Sequence, residues 1–182
     1  NTAPVFVVIF GLLFLSYKIS FSFILTLALA MLGVILVILP GQEIEIFGDS
    51  LGLIAAVFYA GYIISIKDLT NVIKPAKTLY YVTVITAICL LPISYFETGS
   101  LFISFNEFFI LLIYAIFSQT LAQGLITAGI SKVSAHLSSL VLLMQPVSAA
   151  IYGWLLLGEL LTLVQIFGGF IVLIAIYMAS RN

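Results

Sequence analysis

Between residues 137 and 178 the chain runs for some 40 positions with Glu159 as its only charge. As one α-helix at 1.5 Å per residue that stretch would reach about 60 Å, twice the ~30 Å hydrocarbon thickness of a bilayer. It must cross a membrane twice and turn near its middle, where Gly158 and Glu159 stand. An ionised side chain at the bilayer centre costs roughly 2.5 kcal/mol or more. Glu159 is therefore expected where the chain meets water, with spans over 137–157 and 163–179. Composition agrees: 64% of the 182 residues are hydrophobic and 7% charged, against about 25% charged in soluble domains.

The same criterion of about 20 apolar residues picks out spans over 21–39, 51–66, 79–96 and 108–130. Residues 3–16 are apolar but too short, and the chain starts at Asn1 rather than Met, so they read as a helix whose beginning has been lost. No basic n-region precedes them, which argues against a removable signal peptide. Seven segments then alternate across the membrane, and the charges test that alternation. Lys18, Lys67, Lys74, Lys77, Lys132 and Arg181 fall on one side. Glu43, Glu45, Asp49, Glu97, Glu107 and Glu159 fall on the other, with Asp68 the exception. Basic loops stay cytoplasmic, so the C-terminus is expected inside and Asn1 outside. The loops are too short for an attached soluble domain.

The chain also repeats itself. PVFVVIFGLLFLSYKIS (4–20) aligns without a gap on PVSAAIYGWLLLGELLT (146–162), matching Pro4 to Pro146, Gly11 to Gly153 and Ser20 to Thr162. Proline and glycine at constant spacing carry weight because each imposes a backbone requirement. Residues 48–181 hold five helices of one repeat, and 1–40 hold the last two of another. About 95 residues, enough for three helices and the start of a fourth, are expected before Asn1. An odd number of spans per repeat inverts one copy against the other. Inverted repeats are a transporter signature, with the substrate bound at their interface near the midplane.

The stretch QPVSAAIYGWLLLGELLTLVQIFGGF (145–170) resembles the end of an EamA-like domain of the drug/metabolite transporter superfamily. Pro146, Gly153, Gly158, Glu159, Thr162 and Gly168 stand at the positions of that pattern, and Lys132 and Ser139 match the preceding connector and helix. The likeness covers nearly the whole chain as helices four to ten of ten. It departs at Gln145 and Tyr17, where many members carry Glu. The resemblance implies an all-α integral membrane protein with seven transmembrane helices present, drawn from a ten-helix (5+5) inverted-repeat bundle with a central cavity and cytoplasmic termini. Carriers of this kind move amino acids, nucleotide-sugar-like compounds, amines and other small metabolites. The expected setting is the bacterial inner membrane.

Polar side chains at bilayer depth usually face the bundle interior. Gln119, Gln123 and Thr127 are spaced four apart and so share one face of an α-helix. They form either helix–helix hydrogen bonds or the polar wall of a substrate cavity. Tyr59 and Tyr62 follow at an interval of three; Tyr59 is interior by position, and Tyr62 belongs either to the cavity or to an interfacial belt. Gly52, Ala56 and Ala60 form a small-residue face suited to close packing. Pro146 cannot donate to the Leu142 carbonyl, which leaves that carbonyl and Gln145 mid-membrane as a packing kink or a gate. Pro4 is its repeat mate. Ser139 lines the cavity or simply bonds back to its own helix.

All seven acids lie at loops or helix ends, so residues 51–182 are expected to carry no proton. No metal-ligand spacing, phosphate loop or nucleophile arrangement points to an enzyme, and neither a metal nor another cofactor is expected. A net charge of −1 gives no reason for a nucleic-acid partner. The expected partners are a small-molecule substrate, the lipid bilayer and a second copy of the chain. The function expected is a permease moving a small polar metabolite by alternating access. The alternative is a non-transporting structural or regulatory subunit whose polar stripes serve helix packing.

Overall fold

The computed structural model of the chain describes residues 2–14, 19–38, 45–98 and 104–181, and every regular element among them is a helix. The α-helices are α1 (Ala3–Phe14), α2 (Phe21–Ile38), α3 (Ile46–Val72), α4 (Pro75–Thr98), α5 (Phe105–Tyr114), α6 (Gln123–Lys132), α7 (Ala135–Val141), α8 (Met144–Tyr152) and α9 (Leu163–Ser180). A π-helical segment, Ala115–Ala122, joins α5 to α6, and a second, Gly153–Leu157, continues α8. Six stretches among the described residues are long and apolar enough to cross a membrane: α2, α3, most of α4, Phe105–Lys132, Ala135–Leu157 and α9. Large apolar side chains such as Phe21, Phe58, Ile85 and Phe167 are exposed along them, as lipid-facing surfaces require. The molecule is an all-helical, multi-pass integral membrane protein. The seventh expected segment is α1, whose 12 residues fall short of the ~20 that a crossing needs. Tyr17, Lys18, Leu39 and Glu43 lie outside the described residues.

The turn expected at Glu159 is present. Gly158 adopts φ +70°, a left-handed conformation open to glycine because it lacks a Cβ, and it ends the helix at Leu157. The Glu159 N–H donates to the Gly153 carbonyl at 3.3 Å, and its carboxylate folds over Gly153. A Cβ on Gly153 would lie 2.5 Å from Oε2 of Glu159, so this glycine leaves the room that the acid fills. Thr162 then opens α9 with a reciprocal cap: its hydroxyl accepts from the Gln165 N–H at 3.3 Å, and Gln165 Oε1 accepts from the Thr162 N–H at 2.9 Å.

Pro146 does interrupt its helix, between α7 and α8 at Leu142 and Leu143. The Leu142 carbonyl expected to be left free is instead bonded to the Gln145 N–H at 3.0 Å, and Leu143 N–H bonds the Leu140 carbonyl at 3.0 Å. Away from water an unpaired backbone group is costly. The chain tightens to i→i+3 bonding at the break and recovers the partner that proline denies.

The chain forms two compact units, residues 1–64 with 134–182, and residues 65–133. In the first, α2 and α9 pack antiparallel, with Gly33 and Gly168 at the crossing. A Cβ on Gly33 would stand 2.8 Å from the Gly168 carbonyl oxygen, and one on Gly168 would stand 2.7 Å from that of Gly33. Around the crossing the core gathers Phe23, Leu27, Ala30, Val34, Val172 and Ala175, closed by Leu140, Leu143 and Val147. The five buried residues of α9 are Gly168, Gly169, Val172, Ala175 and Ala179. Shifted by the offset that aligns Pro4 with Pro146, they fall on Thr26, Leu27, Ala30, Gly33 and Val37, all buried in α2. A second cluster packs Val7 of α1 with Ala60, Ile63 and Ile64 of α3 and with Ala135.

In the second unit α4 packs against α6, where Leu79 Cδ2 lies 3.6 Å from where a Gly124 Cβ would be. Lys67 donates to the Ser131 carbonyl at 2.9 Å, satisfying an end group of α6 and favourably placed against the helix dipole. That contact helps carry α3 past the apolar run, which ends at 66 in the sequence, to Val72.

Candidate functional site

The helix break at Leu142–Leu143 opens onto a cavity of about 350 Å³ within the first unit, inside the usual 300–1,000 Å³ of small-molecule sites. Its polar groups come from Tyr59 on α3, Ser139 on α7 and Gln145 on α8, with Pro4 of α1 beside them. Ala55, Ala56, Ile63, Leu142 and Leu143 supply apolar walls. Four separate helices and the irregular turn thus converge on one space, the setting in which broken backbone is tolerated at membrane depth.

The Tyr59 hydroxyl and the Gln145 amide both line the cavity. The ring of Tyr62 stacks on that of Tyr59, with centroids 5.8 Å apart and planes 13° from parallel. Ser139 is 1% exposed, and its hydroxyl donates to the His136 carbonyl at 2.8 Å, so its proton is spent within its own helix. Both readings of Ser139 therefore hold at once: it bonds back to its helix and it lines the cavity. Gly52 and Ala56 had been expected to admit a neighbouring helix, yet both line the space, and a Cβ at Gly52 would meet nothing within 4 Å. Ala60 is the member of that stripe that is fully packed. Sequence reasoning missed Ala55; its signal is a run of small residues one turn before Tyr59.

Of the expected site residues, Pro4, Tyr59, Ser139 and Gln145 are brought together. Tyr62 joins them through its stack, and Pro146 sets the break without lining the space. Gln119, Gln123 and Thr127 lie in the second unit. There a cavity of about 730 Å³ is lined by Gln119, Thr120, Thr83 and Tyr80, together with Gly124 and Ala128. Gln123 and Thr127 do not line it; Thr127 is fully buried, its hydroxyl donating to the Gln123 carbonyl at 2.8 Å. The common face expected from four-residue spacing is not formed, because Gln119 sits in the π-helical Ala115–Ala122 segment. A π-helix closes i→i+5 bonds and so breaks α spacing. Thr120 follows that pattern, its hydroxyl donating to the Ala115 carbonyl five residues back at 3.2 Å. The described acids lie at or near helix ends or in turns: Glu45 and Asp49 at the start of α3, Asp68 in its last turns, Glu97 and Glu107 at the ends of α4 and α5, and Glu159 in the turn.

The sequence model of the EamA-like transporter family matches residues 46–181. Two proteins of Archaeoglobus fulgidus, each described as an uncharacterized transporter, are 30% and 25% identical to the chain over 182 residues, covering 100% and 99% of it. The chain spans 66% and 64% of the length of these relatives. No solved structure matches it.

Proposed function

The chain belongs to the EamA-like transporter family, and on that premise we propose that it serves a secondary carrier of a small organic metabolite. The observation that carries the reading is the discontinuous helix at Leu142–Leu143, set against a cavity that Tyr59, Ser139 and Gln145 line together. Broken helices beside a midplane site are how carriers of inverted-repeat design hold their substrates. The break supplies adjustable backbone, and the cavity supplies donors and acceptors. Alternating access would rock two repeats around this site. The repeat gains support from the five matched buried positions of α2 and α9. On this reading α1 is the inner part of a seventh crossing, and the basic loops and Arg181 face the cytoplasm of a bacterial-type inner membrane.

Reconstitution into liposomes tests the proposal. Substrate should raise the melting temperature of the protein, since binding to the folded state stabilises it by mass action. Changing Gln145→Leu or Tyr59→Phe should lower uptake about tenfold, the equivalent of one hydrogen bond of ~1.5 kcal/mol. If both variants retain wild-type uptake, the cavity is not the transport site. If no amino acid, amine, nucleoside or sugar derivative stabilises the protein or crosses the membrane, the structural-subunit alternative replaces the carrier.

A further inference from the structure

We propose that the cavity between α1, α3 and the α7–α8 break selects an uncharged ligand, one with an apolar body and a head that both donates and accepts a hydrogen bond. This rests on the carrier reading above and narrows it. The walls at Ala55, Ala56, Ile63, Leu142 and Leu143 are aliphatic, so a bound molecule exchanges water for a medium of low polarity. An ion there loses its hydration and requires a counter-charge or several directed dipoles in return. Among the described residues the polar groups lining it are a phenol, an amide and a serine hydroxyl, none of them ionised at neutral pH.

Their donors and acceptors narrow the head further. Tyr59 and Gln145 bring a phenol and a primary amide to the same cavity, and Ser139 has committed its proton to the His136 carbonyl. A phenol and a primary amide each offer both a donor and an acceptor, so the head that suits them carries one donor and one acceptor on adjacent atoms. A primary amide, a lactam or a hydroxy-ketone does this. A carboxylate has no donor to give, and an ammonium has no acceptor. The lack of a counter-charge in the lining turns away nucleotides, free amines and free amino acids, leaving uncharged amides, nucleobase-like heterocycles and polyols with an apolar side.

Matched probes separate the charge question from the transport question. Phenylacetamide, phenylacetate and phenethylamine share one body and differ in the head; butyramide, butyrate and butylamine do the same on a smaller one, and thymidine with its 5′-monophosphate on a larger one. The expected result for the full protein is a raised melting temperature with the uncharged members and no shift with the ionised ones. Gln145→Leu should abolish the response. Gln145→Glu should transfer it to the amines, because a carboxylate then supplies the counter-charge. Gln145 is exposed to the cavity rather than packed in the core, so these variants keep the fold. Equal stabilisation by phenylacetate or phenethylamine, abolished by Gln145→Leu, overturns the charge selectivity and leaves the carrier site standing. Stabilisation by the amides that survives Gln145→Leu moves the site elsewhere and overturns the inference. Failure of every probe to stabilise or enter liposomes overturns the inference; the proposed function falls with it only when amino acids and sugar derivatives fail as well.

Discussion

Gly33 and Gly168 occupy a crossing at which each would drive a Cβ into the other's carbonyl oxygen. In a membrane the apolar solvent gives helices little hydrophobic reason to associate, and close backbone contact through small residues takes over. Gly168→Ala should therefore lower stability by about 1–3 kcal/mol, the usual effect of overpacking a fitted contact. Gly61 is also helical, yet a Cβ there meets nothing within 4 Å. Gly61→Ala should be neutral or stabilising by up to ~1 kcal/mol, from helix propensity alone. Thermal unfolding of the two purified variants in detergent gives the comparison; equal melting temperatures would refute the crossing. At this scale part of the candidate cavity is legible. Tyr59, Ser139 and Gln145 drew notice as polar groups in apolar surroundings, and they meet in one cavity. Thr127 drew notice by the same rule, but its hydroxyl is taken up by its own helix, because a threonine in a helix can bond the carbonyl four residues back as readily as a neighbour.

The turn between the last two spans is the most legible boundary, because its signals are local, whereas α3 runs beyond its apolar stretch at both ends. Gly158 followed by Thr162 and Gln165 spells a left-handed stop and a reciprocal start, and the helices end and begin there. Thr162→Ala removes the hydroxyl that accepts from Gln165 and should destabilise by about 1 kcal/mol. Hydrogen exchange should detect it as faster exchange confined to the first turn of α9, whereas unchanged exchange would mean that packing against α2 alone holds that end. Helix interiors were harder. Nothing in AIFSQTLA, residues 115–122, contains a proline or glycine to announce π-helical turns. A pattern judged by α spacing therefore placed Gln119 and Gln123 on one face when they occupy two. The break at Pro146 was visible, but the rebonding of the Leu142 carbonyl to Gln145 was not, since it depends on how the chain closes once proline has removed a donor.

For the whole molecule the strongest commitment is to sidedness. The 24 residues of α4 make about 36 Å of helix, enough to traverse a bilayer core. Single cysteines replacing Lys74 and Glu97, in a background without the native exposed Cys89, should be labelled from opposite sides of sealed vesicles, with Lys74 facing the cytoplasm. Labelling of both from one compartment would contradict the alternating topology and the inverted repeat with it.

The residues alone determined the solvent, the helical class, the approximate ends of the spans and the turn at Glu159. Each of these follows from local quantities: a run length measured against bilayer thickness, a glycine, a lone charge. Tertiary structure alone decided which polar groups share a cavity and which are spent within their own helix. That outcome depends on the rotation of each helix about its axis, and two turns of altered pitch or one rebonded carbonyl change the rotation without changing a residue.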